Sequence, residues 1–412
     1  VKEIVTAAEP VRQAVILVGG RGTRLGSVTA ATPKPLVDVA GRPFLDVLLL
    51  ELGRHGFDRI VLLAGFAAEA IDAYAAATAM TARFGLDIAV HREANAAGTG
   101  GALVQARHLL DDRFLLLNGD SWLDTNLRAL ACREPPAGGA VMTVRALADA
   151  GRSGVVTLSG DRVARFLPRP EAPGPGQVNA GIYLVDRDAL AGVPAVASLE
   201  SDVLPRLAAE GRLAAHPAEG FFIDIGVPDA LAAAQTEVPR QQRRGAVFFD
   251  RDGVLNVDHG HVGEIERFEW IDGAIEAVRL VNDAGLYAFV VTNQAGVAKG
   301  FYGEDSVVRL NRHIGDGLAR AGAHIDAFIW CPYHPDGVVP AYTRVSDRRK
   351  PAPGMILDLM AAWPVDPASS FLVGDKQTDL DAARAAGIAG HLYNGGRLDD
   401  LVRRLLGSRS RA

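Results

Sequence analysis

The sequence predicts an α/β protein made of two Rossmann-like domains in tandem, and three observations predict it. Strand-like apolar runs alternate with helix-like ones in the first half, as in AVILVG, PFLDVLLLELGRHG, RIVLLAG and FLLLNGD. That rhythm lays parallel strands under covering helices. It restarts at AVFFDRDG after a polar, basic stretch, TEVPRQQRRG, and runs on through AIEAVRLVNDAG, YAFVVTNQAG, AFIWCPYHP and SSFLVGDK. At 412 residues the chain is long enough for two domains or three. Residues 1–11 are read as an N-terminal extension, 12–236 as the first domain, 237–245 as a linker, 246–406 as the second domain and 407–412 as a tail. The Ala-rich segment 67–82 is expected to be helical, and PRPEAPGPGQ to form a loop over a site. No repeat of short period occurs.

Composition narrows the function classes. Apolar residues make up 49% and charged residues 22%, the balance of an ordinary globular protein with a substantial core. A net charge of −6 leaves no basic surplus for nucleic acid, so any phosphate sites must be made locally. Cys132 and Cys331 stand far apart and describe no disulfide framework, which points to a reducing compartment. The start, VKEIVTAAEPVRQAVILVGG, has no charged segment feeding a long apolar one, and no apolar run is long enough for a bilayer. A cytoplasmic enzyme is expected, with small-molecule partners, no nucleic acid and no membrane, and with homo-oligomerisation left open.

The first domain opens with a strand running into Gly19-Gly20-Arg21-Gly22-Thr23-Arg24-Leu25. Glycines let backbone N–H groups approach a phosphate chain closely, and Arg21 and Arg24 add fixed positive charge. Thr32-Pro33-Lys34-Pro35-Leu36 follows at short range and brings a point-charge lysine beside the same phosphates. Together these elements resemble the sugar-1-phosphate nucleotidyltransferases, whose domain is a GT-A-like mixed sheet. That resemblance implies that Asp120, at the end of FLLLNGD, and Asp224, in FIDIG, clamp one magnesium ion between the nucleotide α-phosphate and the sugar phosphate. Asp120 also reads as a strand-end cap, and the surroundings of Asp224 are less distinctive. The resemblance further implies that Thr99 and Gly100 of GTGGA hold base and ribose, and that Asn179 of NAGIYL faces the sugar. Through GRPFLDVLLLELGRHGFDRIVLLAGF, AAGTGGAL and LLLNGDS the match narrows to the heptose-1-phosphate guanylyltransferase group. Val18 stands where alanine is usual, and Arg169 where a lysine after a glutamate is common, so base and sugar are less secure than the reaction type.

The second domain begins with FFDRDGVLN, which sets Asp250 and Asp252 two residues apart at a strand terminus. Such a pair can hold a magnesium ion and offer one oxygen to phosphorus, although an Asp-x-Asp alone is equally a solvated turn. Downstream come Val290-Val291-Thr292-Asn293-Gln294, Arg349-Lys350-Pro351 and Val373-Gly374-Asp375-Lys376, in an order that a parallel sheet could bring together. Aspartyl-phosphate chemistry needs a nucleophile, an acid/base, a hydroxyl and a cation for the phosphate, and a further carboxylate for the metal. These segments supply each of them.

This half resembles the haloacid-dehalogenase-type phosphatases, in particular the histidinol and heptose bisphosphate phosphatase branch. The resemblance implies that Asp250 is the nucleophile and Asp252 the general acid and base, while Thr292 and Lys350 bind the phosphoryl group. It implies that Asp375 completes a magnesium site with Asp250 and the backbone carbonyl of Asp252, and that Asn293, Gln294 and Arg349 touch substrate. Members of the branch often carry a zinc held by Cys-x-His and Cys-x-Cys. Here those positions read Cys331-Pro332-Tyr333 and Ser346-Asp347-Arg348. Cys331 and His334 alone cannot make a tetrahedral site, so zinc is not expected, and Cys331 is read as a buried small apolar residue.

Both resemblances imply one reaction sequence. A phosphatase removes the 7-phosphate of D-glycero-D-manno-heptose 1,7-bisphosphate, and a transferase joins a nucleotide, expected to be GMP from GTP, to the surviving 1-phosphate. A GTP donor would go with the α-anomer. Two alternatives stay open: another sugar, such as mannose 1-phosphate beside a generic sugar phosphatase, or one domain acting as a binding module only.

Overall fold

The computed structural model describes residues 9–20, 22–29, 32–151, 154–167 and 174–409. Arg21, Arg169 and most of the PRPEAPGPGQ segment lie outside the described residues, as does the side chain of Thr23. The chain divides into two compact units, one of them Pro10–Arg240 and the other running from Gln241 onward. The polar stretch read as a linker is mostly helical, because the helix Pro228–Gln242 continues through it and admits Pro239 in its interior.

In the first unit the strands of the main sheet are β1 (Gln13–Leu17), β2 (Arg59–Ala64), β3 (Asp87–Arg92), β4 (Arg113–Asn118), β5 (Ala140–Leu147), β6 (Val155–Ser159), β7 (Arg162–Leu167), β8 (Gly176–Asp186) and β9 (Leu213–Pro217). They form one sheet in the order β3-β2-β1-β4-β8-β5-β9-β7-β6. The first four in that order run parallel, whereas β8 pairs antiparallel to both β4 and β5, so the sheet is mixed. Near-continuous apolar runs in β1, β2 and β4 are what strands covered on both faces require. Val15, Leu63, Leu116, Met142 and Tyr183 accordingly sit within one buried cluster. The helix Phe44–Arg54 buries Phe44, Leu45, Leu48, Leu49 and Leu52 at its helical spacing. The Ala-rich segment forms two short helices, Ala68–Ala77 and Ala79–Phe84, the second capped at its start by the Thr78 hydroxyl.

A bulge breaks β8. Its register against β5 slips between Asn179 and Tyr183, and Gly181 there has φ 74°. A Cβ at Gly181 would stand 2.8 Å from Asn118 Nδ2. Only glycine fits, and the bulge places Asn179 beside the end of β4.

The second unit has five strands, β10 (Ala246–Phe249), β11 (Tyr287–Asn293), β12 (Ala327–Cys331), β13 (Phe371–Gly374) and β14 (Ala389–Leu392). All pair parallel, in the order β12-β11-β10-β13-β14. The order reverses direction between β10 and β13, and the crevice beyond the carboxyl ends of such strands is where open α/β sheets bind ligands. The helices Ala274–Asp283 and Glu304–Arg320 press apolar stripes on the sheet through Val278, Val281, Leu310 and Ile314. Among the described residues of the chain, no helix is long and apolar enough to cross a membrane.

Candidate active sites

In the first unit a cleft of about 780 Å³ opens at the carboxyl ends of β1, β2 and β4. Gly19 and Gly20 leave β1 against its wall, and Gly119 leaves β4. A Cβ at Gly19 would meet Glu93 Oε1 and Gly65 N at 2.8 Å, and one at Gly119 would stand 2.4 Å from the Leu17 carbonyl. Gly19 and Gly119 are therefore needed for close approach of neighbouring chain, whereas a Cβ at Gly20 would meet nothing within 4 Å. Gly22 has φ 61°, and its carbonyl accepts from the Thr29 hydroxyl at 2.8 Å.

Among the described residues, two cations and four carboxylates face the cleft. Arg24 is exposed, whereas Lys34, on a single turn after Pro33, is only 6% exposed. The Lys34 ammonium pairs with Asp120 and lies 3.7 Å from Asp224 Oδ1. A two-stranded ribbon brings those aspartates together: Phe222–Asp224 runs antiparallel to Ser121–Leu123, opposing Asp224 to Ser121. The Ile225 N–H then donates to the Asp120 carbonyl at 3.0 Å. Gly226 completes the arrangement, since a Cβ there would stand 2.6 Å from Lys34 Nζ and 2.7 Å from Asp224 Oδ1.

Glu93 and Glu200 were not singled out in the sequence, yet both line the cleft. Burial, with Asp120 and then Asp224 as repelling neighbours, pushes the Glu200 carboxyl above its usual range. Burial and Asp120 do the same to Asp224, against the opposing pull of Lys34. Asp120 and Asp224, held together by one ammonium, offer oxygen ligands that suit a hard cation, with Glu200 close enough to feel both charges.

Asn179 donates from Nδ2 to the Tyr183 hydroxyl at 2.6 Å and to Glu200 Oε1 at 3.4 Å, while its Oδ1 accepts from Gly181 N. Thr99 also lines the cleft, but its hydroxyl accepts from Leu199 N at 2.8 Å. The Gly100 N–H is committed to the Ala197 carbonyl at 2.8 Å. Read from sequence as ligand contacts, both positions hold a neighbouring backbone segment.

In the second unit Asp250 follows β10 and is 7% exposed. Its Oδ2 lies 2.8 Å from Lys350 Nζ, and its Oδ1 accepts from Arg251 N at 2.7 Å. Lys350, 3% exposed, also donates to Asp379 Oδ1 at 2.7 Å and to the Val291 carbonyl at 2.9 Å, which satisfies all three ammonium protons. Burial pushes the Asp250 carboxyl up to about 7, with Lys350 opposing and Asp379 adding to the rise.

Asp250, Asp375 and Asp379 present oxygens all within 4.8 Å of one another. Asp375 Oδ1 is buried without a partner, and burial raises the Asp375 carboxyl. Gly253, at φ 89°, has no side chain to intrude, where a Cβ would stand 2.3 Å from Asp375 Oδ2. A hard divalent cation fits this donor set and its orphaned oxygen.

Asp379 is the carboxylate that sequence reading missed. It lies in the first turn of the helix Gln377–Ala385, where it accepts from Lys376 N and looks like an ordinary helix-start acid. Its spacing of four residues from Asp375 was the available signal.

Asp252, expected at the metal through its backbone carbonyl, has its carboxylate outside that trio. Arg251 reaches both oxygens through Nη2 at 3.0 Å, Asn256 donates to Oδ1 at 3.0 Å, and Gln294 donates to Oδ2 at 2.9 Å. Those donors fix its orientation. Thr292 is buried, and its hydroxyl accepts from Gln294 Nε2 at 2.9 Å.

Asn293 and Gln294, expected to touch substrate, bond to neighbouring groups of the unit. Asn293 forms a reciprocal pair with the backbone of Lys350, both bonds 3.0 Å long, and so holds the lysine in place. Gln294 is fully buried and accepts from the Tyr302 hydroxyl at 2.8 Å. Arg349 is half-buried and reaches the Tyr333 carbonyl at 3.4 Å. Cys331 is fully buried. The loop after it is held by Arg344 stacked 3.8 Å over the Tyr333 ring and by Glu304, which accepts from both Trp330 Nε1 and the Tyr342 hydroxyl at 2.9 Å.

Comparison with known proteins finds relatives for both units. Residues 13–241 match the nucleotidyl transferase family, and residues 347–404 match the HAD-hydrolase-like family. The chain is 46% identical over 170 residues to the D-glycero-β-D-manno-heptose-1,7-bisphosphate 7-phosphatase of Rhodopseudomonas palustris, covering 41% of this chain and 94% of that one. It is 44% identical over 143 residues to the phosphatase of the same name from Escherichia coli K12, covering 35% and 75%. Among solved structures, HddC from Yersinia pseudotuberculosis aligns with a TM-score of 0.49 and 27% identity over 55% of this chain and all of that one. The chain thus belongs to the nucleotidyl transferase family through its first unit and to the HAD-like phosphatases, in company with the heptose bisphosphate 7-phosphatases, through its second.

Proposed function

We propose that the chain carries out two consecutive steps of nucleotide-heptose synthesis: hydrolysis of the 7-phosphate of D-glycero-D-manno-heptose 1,7-bisphosphate in the second unit, and transfer of GMP from GTP to the heptose 1-phosphate in the first. The observation that carries the reading is the buried Asp250–Lys350–Asp379 array beside Asp375, in a chain that matches named heptose bisphosphate phosphatases over most of their length.

In the phosphatase, Asp250 attacks phosphorus and becomes the aspartyl-phosphate. Lys350, fixed by Asn293, neutralises charge on the phosphoryl oxygens, and the Thr292 hydroxyl faces them. Asp252, oriented by Arg251, Asn256 and Gln294, gives a proton to the leaving sugar oxygen. It then takes one from the water that cleaves the acyl phosphate.

In the transferase, the sugar phosphate attacks the nucleotide α-phosphate and pyrophosphate leaves. Arg24 and Lys34 offset the anionic charge, and Asn179 and Glu200 face the sugar side. Magnesium, one ion per unit, would supply charge neutralisation and in-line alignment of phosphates, held by Asp250, Asp375 and Asp379 in one case and by Asp120 and Asp224 in the other. We place both reactions in the cytoplasm.

A one-pot assay tests the proposal, with both anomers of the bisphosphate, each of the four nucleoside triphosphates, and separate readouts for phosphate, pyrophosphate and nucleotide sugar. Phosphate release followed by pyrophosphate with GTP alone is expected. The phosphatase relatives are named for the β-anomer, whereas a guanylyl route calls for the α-anomer, so the anomer that is turned over decides between these routes. Pyrophosphate with another nucleotide only, or no phosphate from either anomer, would overturn the assignment.

A further inference from the structure

The GTGGA segment is built as a seat for another part of the chain. Gly98 has φ 73°, and a Cβ there would stand 2.6 Å from the Ala197 carbonyl oxygen. One at Gly101 would stand 2.4 Å from the Ala195 carbonyl oxygen. Four contacts hold the seat closed: Gly100 N and Gly101 N on the Ala197 carbonyl, at 2.8 and 3.1 Å, Ala197 N on the Ala97 carbonyl at 2.9 Å, and Leu199 N on the Thr99 hydroxyl at 2.8 Å, the one contact made by a side chain. Immediately beyond, Leu199–Val203 forms a wide π-type turn, a geometry that recurs at functional sites, and it points Glu200 into the cleft.

From this arrangement we propose that Thr99 is a positioning residue for the acceptor sugar, acting through Leu199 to hold Glu200, and that Glu200 receives hydroxyls of the sugar. The inference rests on the cleft being the nucleotidyl transfer site. A carboxylate repels a polyphosphate but accepts hydrogen bonds from neutral hydroxyls, so the neutral, polyhydroxyl part of the acceptor is the ligand chemistry Glu200 fits. Asn179 reaches Glu200 from the opposite strand and bounds the same end of the cleft. Losing the Thr99 hydroxyl leaves the Leu199 N–H without its acceptor and frees the segment to shift.

Steady-state kinetics on the full chain separate this from a nucleotide-binding role. Thr99→Val should raise KM for the sugar 1-phosphate about tenfold while KM for the nucleoside triphosphate stays within about twofold. Thr99→Ser, which keeps the hydroxyl, should restore both. Glu200→Gln should raise the acceptor KM by at least as much, and Thr99→Val combined with Glu200→Gln should be no worse than Glu200→Gln alone, because the two act as one unit. Amide exchange at Leu199 should quicken in Thr99→Val and stay slow in Thr99→Ser. A rise confined to the nucleotide KM, additive effects in the double variant, or an altered metal requirement in Glu200→Gln would overturn the proposal. A wild-type chain that transfers no nucleotide at all would instead refute the assignment of the cleft, which keeps the two failures distinct.

Discussion

Replacing Lys350 by methionine would remove the only ammonium between two buried carboxylates while keeping most of the side-chain volume. Lys350 Nζ lies 2.8 Å from Asp250 and 2.7 Å from Asp379, and all three side chains are less than a tenth exposed. Breaking a buried ion pair from one side costs about 3–5 kcal/mol, because the partner charges stay buried without compensation. For a unit of this size each kcal/mol moves the melting temperature by about 2–4 °C, so the second unit should melt roughly 6–20 °C lower. The loss should grow with pH. Asp250, already pushed up to about 7 with the lysine opposing the rise, is pushed further up without it, so the folded variant holds that proton more tightly than wild type and is penalised more as pH climbs from 5 to 8. Added magnesium should narrow the gap by restoring positive charge among the carboxylates. Calorimetry of the full chain, with amide exchange on the strand Ala246–Phe249 to identify the second unit's transition, measures each effect. A shift below about 3 °C, or one indifferent to both pH and magnesium, would refute the reasoning. Phosphatase turnover should fall at least a hundredfold whatever the stability.

Gly253→Ala puts a methyl group 2.3 Å from Asp375 Oδ2 at a φ of 89°. Half-maximal phosphatase activity should then need about 10–100 times more magnesium, with transferase activity unaltered; an unchanged magnesium titration would show that Asp375 is not a ligand. Gly226→Ala crowds Lys34, Asp224 and Arg24 together, and nucleotidyl transfer should fall about a hundredfold while phosphatase activity persists, as separate product assays would reveal. Wild-type protein in chelator should lose stability in its second unit as pH rises from about 4 to 7. The raised Asp250 carboxyl binds its proton more tightly folded than unfolded, so the contribution is greatest at low pH and fades as that proton leaves. A melting temperature that climbs across this window for the second unit would contradict the sign.

Much of the fold was legible because covered parallel strands must be apolar throughout, and runs such as AVILV and AVFF are hard to place otherwise. The parallel sheet of the second unit follows from where those runs stand, whereas the mixed sheet of the first came from the family resemblance, since an apolar run does not show that β8 lies antiparallel to its neighbours. The motif carboxylates were legible for a related reason, since each stands at the end of such a run. Other features were hidden because they depend on where a side chain points after distant segments meet. Asp379 looks like a helix-start acid until Lys350 reaches it. Asn293 and Gln294 are polar residues beside a catalytic strand end, and only the folded chain shows their amides turned to Lys350 and Asp252. Thr99 and Gly100 belong to a motif suited to ligand contact, yet the segment that occupies them lies about a hundred residues away. Glu200 sits in a stretch with no periodicity to mark it. The polar segment 237–245 reads as a linker on composition, but a helix needs only continued backbone bonding to run through it.

The second unit assembles its chemistry from the ends of three strands, β10, β11 and β13, together with the loop that carries Lys350 and the helix that carries Asp379. Among the described elements, no single hairpin or helix holds both Asp250 and Lys350, the pair that the proposed mechanism brings to the phosphate. A partly folded form of this unit therefore retains no residual active site, in contrast to an enzyme whose machinery lies on one local motif. Turnover becomes a reporter of global order: its loss on heating or in denaturant should coincide with the melting of the sheet, and a protease nick that loosens any one strand should silence it as completely as replacing Asp250.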